Sequence, residues 1–434
     1  MSSVAIGIIG FCIMLVMMFL GFPIFVSMIG AAVIGFWMLT GPSMAIQQLT
    51  MGPFTMACNY SMVAMPMFLV LGVIAGEVGI GEGICDCLSK WMGRRKGGLL
   101  SATVVANCIF GACSGVPGAG NAIFVKCFTP ELEKRGYERG NSLAIITASG
   151  ILSALIPPSL AIINFCILAD LSMSYTLMCG LTGGIITTII LILMIKLMGI
   201  INPKTMPAND VGEKVPFVEK LKSLKLLLPV LLLFAAIIGG TSLGWFTATT
   251  GGAVGCLVVI VYAIFKRVPM KKLLNYIWDA VKMTGKMYPM IVAGSFFGRF
   301  IALSRLPQLF TEWIVQMDIS RFWLFTMVVI LYIICGCLMD VMSIIIITIP
   351  VVFPMLTALG FSGPCLAVVL VLMTGIAGAT PPVGNGVFML ASVADCEPYL
   401  IFKRVWPYVV GLTIAAYVIA FCPTIVEFLA RMVS

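Results

Sequence analysis

Polar positions in this chain are gathered into short islands, and the stretches between them run apolar for about 20 residues at a time. A helix rises ~1.5 Å per residue, so each stretch can cross a hydrocarbon layer of roughly 30 Å. The pattern predicts an all-α integral membrane protein. Two of the runs are cut by a proline pair: Ile156-Pro157-Pro158-Ser159 interrupts 142–171, and Thr380-Pro381-Pro382-Val383 interrupts 366–396. Proline lacks an amide donor and clashes with the preceding turn, so two in succession end a helix and leave carbonyls unpaired. In lipid such backbone is tolerated only where protein buries it or where it lines a cavity. Matched interruptions in two halves of a chain therefore predict a carrier with its binding site at the breaks.

The proline pairs belong to a longer internal register. Pro157 and Pro381 lie 224 residues apart, Pro66 and Pro289 lie 223, Gly111 and Gly336 lie 225, Gly136 and Gly360 lie 224, and Gly21 and Gly244 lie 223. Five landmarks in one register predict a duplication, with halves 1–200 and 226–434. The joint, 201–225, holds most of the local charge and reads as an exposed, partly amphipathic linker. Basic loops at 90–96 and 131–139 place both flanks of 98–130 in the cytoplasm by the positive-inside rule. That segment, broken near Ser114–Asn121, is then a re-entrant hairpin. The matching flanks at 303–321 and 357–364 lack a basic excess, so the second hairpin, 322–356, enters from the other face. The expectation is two inverted repeats, each of five spans and one hairpin, with both chain ends outside. Val4–Leu20, without a basic n-region or a cleavage site, reads as a span and not as a signal peptide.

Composition agrees. The chain is 61% apolar and 10% charged, with mean hydropathy +1.14, which a soluble surface of this length would not tolerate. The net charge of +9 is explained by basic cytoplasmic loops, and no nucleic-acid partner is implied. The 15 cysteines lack CxxC spacing and read as buried free thiols. With no histidine and no GxxxxGK[ST], histidine catalysis, zinc motifs and Walker-type ATP binding are excluded. No enzyme and no cofactor is expected. Few titratable groups lie near the midplane, which favours sodium over protons as the coupling ion.

Hairpin tips and breaks each supply one helix end with free carbonyls and one with free amides. Carbonyl ends attract cations and amide ends attract anions. The cation candidates are Ser114, Gly115, Gly336, Asp340, Thr380 and Gly384; the substrate candidates are Pro157, Pro158, Ser159, Pro381, Pro382, Asn121, Asn385 and Arg299. Asp340 either ligates a cation or accepts amides at the tip, and an acid in an apolar hairpin costs roughly 2.5–3.5 kcal/mol on insertion scales. Arg299 either meets a substrate carboxylate or snorkels to the surface.

Taken in order, Met65-Pro66-Met67-Phe68, Gly97-Gly98-Leu99, Lys134-Arg135-Gly136-Tyr137, Ile156-Pro157-Pro158-Ser159, Met339-Asp340, Pro350 with Pro354, and Thr380-Pro381-Pro382-Val383-Gly384 resemble a known family. It is the large membrane subunit of tripartite ATP-independent periplasmic (TRAP) transporters, the dicarboxylate/sialic-acid permease (DctM-like) type. The resemblance implies an elevator-type, sodium-driven importer in the bacterial inner membrane. It also implies a small four-helix membrane subunit, a periplasmic substrate-binding protein and an organic-acid cargo: a dicarboxylate, sialic acid or a sugar acid. At the first tip the chain departs from the family, where Ser-Gly-Ser and Ala-Asp are usual and Cys113-Ser114-Gly115-Val116-Pro117-Gly118 stands here. Alternatives are a self-sufficient sodium/carboxylate symporter, a channel, and an intramembrane protease with Asp340 and Asp170.

Overall fold

The computed structural model describes residues 2–93, 96–115, 119–207, 215–316, 319–336, 339, 341–381 and 384–433. Among them every regular element is helical. The first half contains α1 (Ser3–Phe19), α2 (Ile24–Thr40), α3 (Pro42–Ala57), α4 (Ala64–Glu77), α5 (Ile80–Met92), α6 (Gly98–Ser114), α7 (Ala119–Lys134), α8 (Arg139–Gly150), α9 (Leu160–Ala169) and α10 (Met173–Ile201). After α11 (Phe217–Ser223), α12 (Leu228–Phe234) and α13 (Gly240–Ser242) come α14 (Ala248–Phe265), α15 (Met270–Leu303), α16 (Leu306–Gln316), α17 (Arg321–Gly336), α18 (Val341–Ala358), α19 (Gly363–Ala379), α20 (Asn385–Ala394) and α21 (Pro398–Phe421). Two short turns, α22 (Pro423–Val426) and α23 (Phe428–Val433), close the chain.

Six helices among the described residues are individually long and apolar enough to cross a bilayer. These six include α18, an arm of the second hairpin, while α15 passes only together with α16 as a pair bent by 58°, and α1 and α2, at 17 residues each, sit at the lower limit of a span. The two interrupted runs are divided between α8 and α9 and between α19 and α20, none long enough alone.

The packing follows the helix order of each half. Arms α6 and α7 pack on α8, and α17 and α18 pack on α19. The halves also interlock, since α7 meets α20 and α18 meets α9. A Cβ on Gly111 would lie 2.8 Å from the Ser153 backbone, and one on Gly336 would lie 2.8 Å from the Ala377 backbone. Each first arm thus rests directly on the main chain just before a proline pair, and only glycine permits that approach. Asp170 and Asp395, 225 residues apart in sequence, end α9 and α20 in the left-handed region, at φ 53° and 49°.

Most described residues of the linker are exposed, and a few buried ones tie it to the bundle. Thr205 and Met206 are buried, and the Thr205 carbonyl accepts from the Glu138 amide at 3.4 Å. Further on, Trp91 of α5 donates its indole N–H to the Lys220 carbonyl at 3.1 Å, and Ser223 is buried. Apolar and small residues inside the charged stretch anchor its ends on α5 and α10.

Polar ties close both ends of the α8–α10–α19–α21 core. At one end the Arg404 guanidinium bonds the Glu138 carboxylate at 2.8 Å, and Tyr408 donates to Asn141 Oδ1 at 2.7 Å. At the other, buried Glu427 accepts from Ser362, from Tyr175 at 3.2 Å and from Arg431 at 2.8 Å. Burial raises the pKa of Glu427, but the bonds from Ser362, Arg431 and Tyr175 outweigh it and hold the carboxyl below its ordinary value of 4.5. A depressed carboxylate pKa stabilises the fold above the unfolded value, and the contribution disappears as pH falls through the folded one. Glu427→Gln is expected to cost roughly 2 kcal/mol at pH 7, the scale of hydrogen bonds to a charged group. Thermal melts of the two proteins should converge as pH drops below the ordinary carboxyl range; a gap that persists in acid contradicts this role.

Candidate functional site

A cavity of about 310 Å³ lies where the interrupted segments meet. Asn121 lines it from α7; Thr147 and Gly150 from α8; Ile151 and Ala154 from the turn that follows; Met339, Val341 and Met342 from the second hairpin. Thr374, Gly375, Gly378 and Ala379 come from α19, Asn385, Gly386 and Met389 from α20, and Met287 from α15. Both hairpins and both broken helices therefore contribute to one wall.

The first tip is built by glycine and by proline's missing donor. Gly115 ends α6 at φ 57°, its N–H donating to the Gly111 carbonyl at 3.1 Å. Its carbonyl accepts the first amide of α9, Leu160 N–H, at 3.1 Å. Tip and break are thus joined through main chain. Ser114 is fully buried, and its hydroxyl oxygen has no protein partner. Two further side chains of this hairpin behave alike. Asn107 donates to Ser149 Oγ at 2.8 Å while its Oδ1 is unpartnered, and that oxygen faces the Gly120 backbone. Asn121, 6% exposed, also has an unpartnered Oδ1, pressed against Gly150, where a Cβ would overlap it. Unmet buried polar atoms are uncommon and call for a ligand or water. Of these, Ser114 stands at the tip itself, beside the freed helix end at Gly115, where an oxygen can meet a hard cation, and Asn107 lies seven residues, about 10 Å, further down α6.

The two breaks differ. Without N–H groups at Pro157 and Pro158, the carbonyls of Ser153 and Ala154 lose their helical donors. Ser159 supplies one: its hydroxyl donates to the Ala154 carbonyl and accepts from Ile162 N–H at 3.1 Å, capping α9. In the second half the Thr380 amide and hydroxyl both donate to the Ala377 carbonyl, at 3.3 and 2.9 Å. The register of Ser159 is held by Val383, whose side chain has no donor. The carbonyl oxygens of Gly378 and Thr380 both lie 2.9 Å from where a Gly384 Cβ would sit. A Phe402 ring carbon lies 3.2 Å from the same position, and the Thr380 carbonyl accepts the Gly384 N–H at 3.1 Å; carbonyls gathered at a helix C-terminus favour a cation.

Several predicted residues are placed elsewhere. Pro157 and Pro158 line a separate cavity of about 160 Å³ with Phe68, Ser172 and Tyr175. The chain turns at the pair, so the rings face α4 and α10 while the preceding turn faces the main cavity. Ser159 is consumed by its cap. Gly336 is filled by Ala377 and serves packing. Arg299 is exposed and lies beside Gly52 of α3. It is 12 residues beyond Met287 on α15, a rise of about 18 Å, too far for its side chain to reach the cavity. Asp340 and Pro382 lie outside the described residues. Asn385 lines the cavity from the first turn of α20, and Pro381 is half-buried at the end of α19. The reading of the sequence missed Asn107, Thr147, Thr374 and the methionines. Asn107 had a signal, a polar amide inside an apolar hairpin arm; the methionines had none, being ordinary in apolar helices.

Comparison with known proteins yields concordant matches. Residues 11–425 match the family model for the tripartite ATP-independent periplasmic transporter, DctM component. The chain is 26% identical over 384 residues to the C4-dicarboxylate TRAP transporter large permease protein DctM of Pseudomonas aeruginosa, covering 88% of each. It is 26% identical over 374 residues to the 2,3-diketo-L-gulonate TRAP transporter large permease protein YiaN of Escherichia coli, covering 85% of this chain and 86% of that one. With the ectoine TRAP transporter large permease protein TeaC of Halomonas elongata it shares 25% identity, over 96% of this chain and 97% of that one. Among solved structures, the Alcanivorax borkumensis YdaH transporter superposes with TM-score 0.56 at 16% identity, covering 88% of this chain and 89% of that one. At that identity the likeness concerns the fold alone.

Proposed function

This chain belongs to the DctM component family of tripartite ATP-independent periplasmic transporters, and from that premise we propose that it carries an organic carboxylate inward, driven by sodium. It is a large permease subunit and a multi-pass protein of the bacterial inner membrane. The proposed importer holds sodium at two corners, Ser114–Gly115 and Gly378–Thr380–Gly384, and the carboxylate between the amide ends of α7 and α20. The observation that carries this reading is the single cavity lined by both hairpins and both breaks, with Asn121, its Oδ1 buried and unpartnered, on its wall.

Energetics require coupling. Each negative charge carried inward costs about 2.3 kcal/mol per 100 mV of inside-negative potential, so at least one sodium per cargo charge is needed to break even. The proposed architecture is two inverted repeats, with hairpins and broken helices sliding as one body against the outer helices. It is supported by the helix order repeating near 224 residues and by the matched contacts Gly111–Ser153 and Gly336–Ala377. A small membrane subunit and a periplasmic binding protein complete the proposed system.

Reconstitution of this chain with those two partners should give uptake of a labelled carboxylate that stops when choline replaces sodium. Undiminished uptake in choline would sink the coupling, and saturable uptake by this chain alone would replace the tripartite reading with a self-sufficient symporter. Asn121→Leu should weaken uptake at least about tenfold, the value of one polar contact made to a buried charged group, with the melting temperature nearly unchanged.

A further inference from the structure

The cavity has a chemistry narrower than its family's range of cargo. Resting on the carboxylate reading above, the geometry points to a cargo with one carboxylate and an apolar, unhydroxylated body.

The charge count comes first. No Lys or Arg lines the cavity. Nor does one occur in 142–171, 322–356 or 366–396, and the first hairpin, 98–130, has only Lys126, which is exposed and off the cavity. This covers the tip and break residues outside the described set, none of which is basic. One carboxylate can be met by the first turn of α20, where Asn385 and Gly386 face the cavity, and by the Nδ2 hydrogens of Asn121 on the same lining. A second carboxylate would have no cationic side chain to pair with and would be buried against apolar surface.

The hydrogen-bond count comes second. A polyhydroxylated acid brings several hydroxyls, and each needs a partner once water is displaced. The two threonines on the wall have already committed their protons: Thr147 donates to the Leu143 carbonyl at 2.9 Å and Thr374 to the Val371 carbonyl at 2.7 Å. The same cavity is lined by Met287, Met339, Met342 and Met389, with Ile151 and Val341. Thioether side chains are soft and adaptable, and they suit an alkyl group of variable shape. The lining combines a few polar groups with a larger apolar share, which fits a cargo with one polar group and an alkyl body.

The test uses thermal unfolding of the purified full-length chain in sodium chloride, titrated with 4-methylpentanoate, succinate and gluconate. The expected half-saturating concentration for 4-methylpentanoate is at least about tenfold below those of the other two, since a hydrophobic contact discriminates on that scale. Its stabilisation should vanish in choline. In a Met287→Thr/Met389→Thr variant, the advantage should shrink severalfold without loss of carboxylate binding. Sodium-dependent stabilisation by succinate or gluconate at equal or lower concentration overturns the inference and leaves the carboxylate-carrier reading standing. No stabilisation by any of the three acids overturns both.

Discussion

Replacing Gly115 by alanine is expected to lower sodium-driven uptake at least about a hundredfold, the loss that a ~1 Å misplacement of a site can produce. The reason is local and has two parts. Gly115 sits at φ 57°, where a side chain costs roughly 1–2 kcal/mol. A Cβ there would also lie 2.0 Å from the Pro158 carbonyl oxygen. Backbone opposes it on the far side, so no side chain can rotate away, and the tip must lift from the break. Lifting breaks the bond from Leu160 N–H to the Gly115 carbonyl, and with it the alignment of Ser114. A melting temperature several degrees lower should accompany the loss. Gly285→Ala is the matched control: it sits within α15 with no atom near its added Cβ, and alanine there should be neutral or stabilise by about 0.5–1 kcal/mol. Uptake near wild type in Gly115→Ala would show that tip and break need not stay docked.

The second large effect is expected at the other break. Gly384→Ala should raise the sodium concentration for half-maximal uptake at least about tenfold, because its Cβ would take the space between two carbonyls that a cation would occupy. Both contacts are 2.9 Å, to the Gly378 and Thr380 oxygens. The φ of −10° at Gly384 lies outside the left-handed region, so the substitution acts by filling space and not by backbone strain. Thr380→Val should be milder, since the threonine hydroxyl is already spent on the Ala377 carbonyl. Sodium titration of uptake, with melting curves to confirm folding, separates the cases. An unchanged sodium response in Gly384→Ala would remove the second break from the cation site.

Much of this was open to a reader of the chain. Single prolines are absorbed inside helices, as Pro289 is in α15 and Pro350 and Pro354 are in α18, but two in succession are not, so both breaks followed from 156–159 and 380–383 without coordinates. The packed helix pairs α6–α7 and α17–α18 were legible for a similar reason: a short glycine-containing interruption between two apolar arms. The individual site residues were harder. Ser159 looked like a ligand because a hydroxyl beside a proline pair can either bind cargo or cap the next helix. Only the positions of Ala154 and Ile162 show that it caps. Arg299 looked like an anion partner by charge alone, and the length of α15 between it and Met287 removes it.

What the residue order determined by itself is whatever depends on local chemistry and on composition: a helical membrane protein, the points where helices break, the register near 224, and the lack of any basic residue in three of the four interrupted segments. Tertiary structure decided which freed groups remain free. The Ala154 carbonyl is satisfied by a neighbouring serine, whereas the matching register holds Val383, whose side chain has no donor. Asn107 and Asn121, on the two arms of one hairpin, keep unpartnered oxygens because of what α8 and the facing arm place beside them. Such outcomes depend on distances between segments that meet only after folding, and a hydrogen bond of ~3 Å has no signature in the order of residues along one segment.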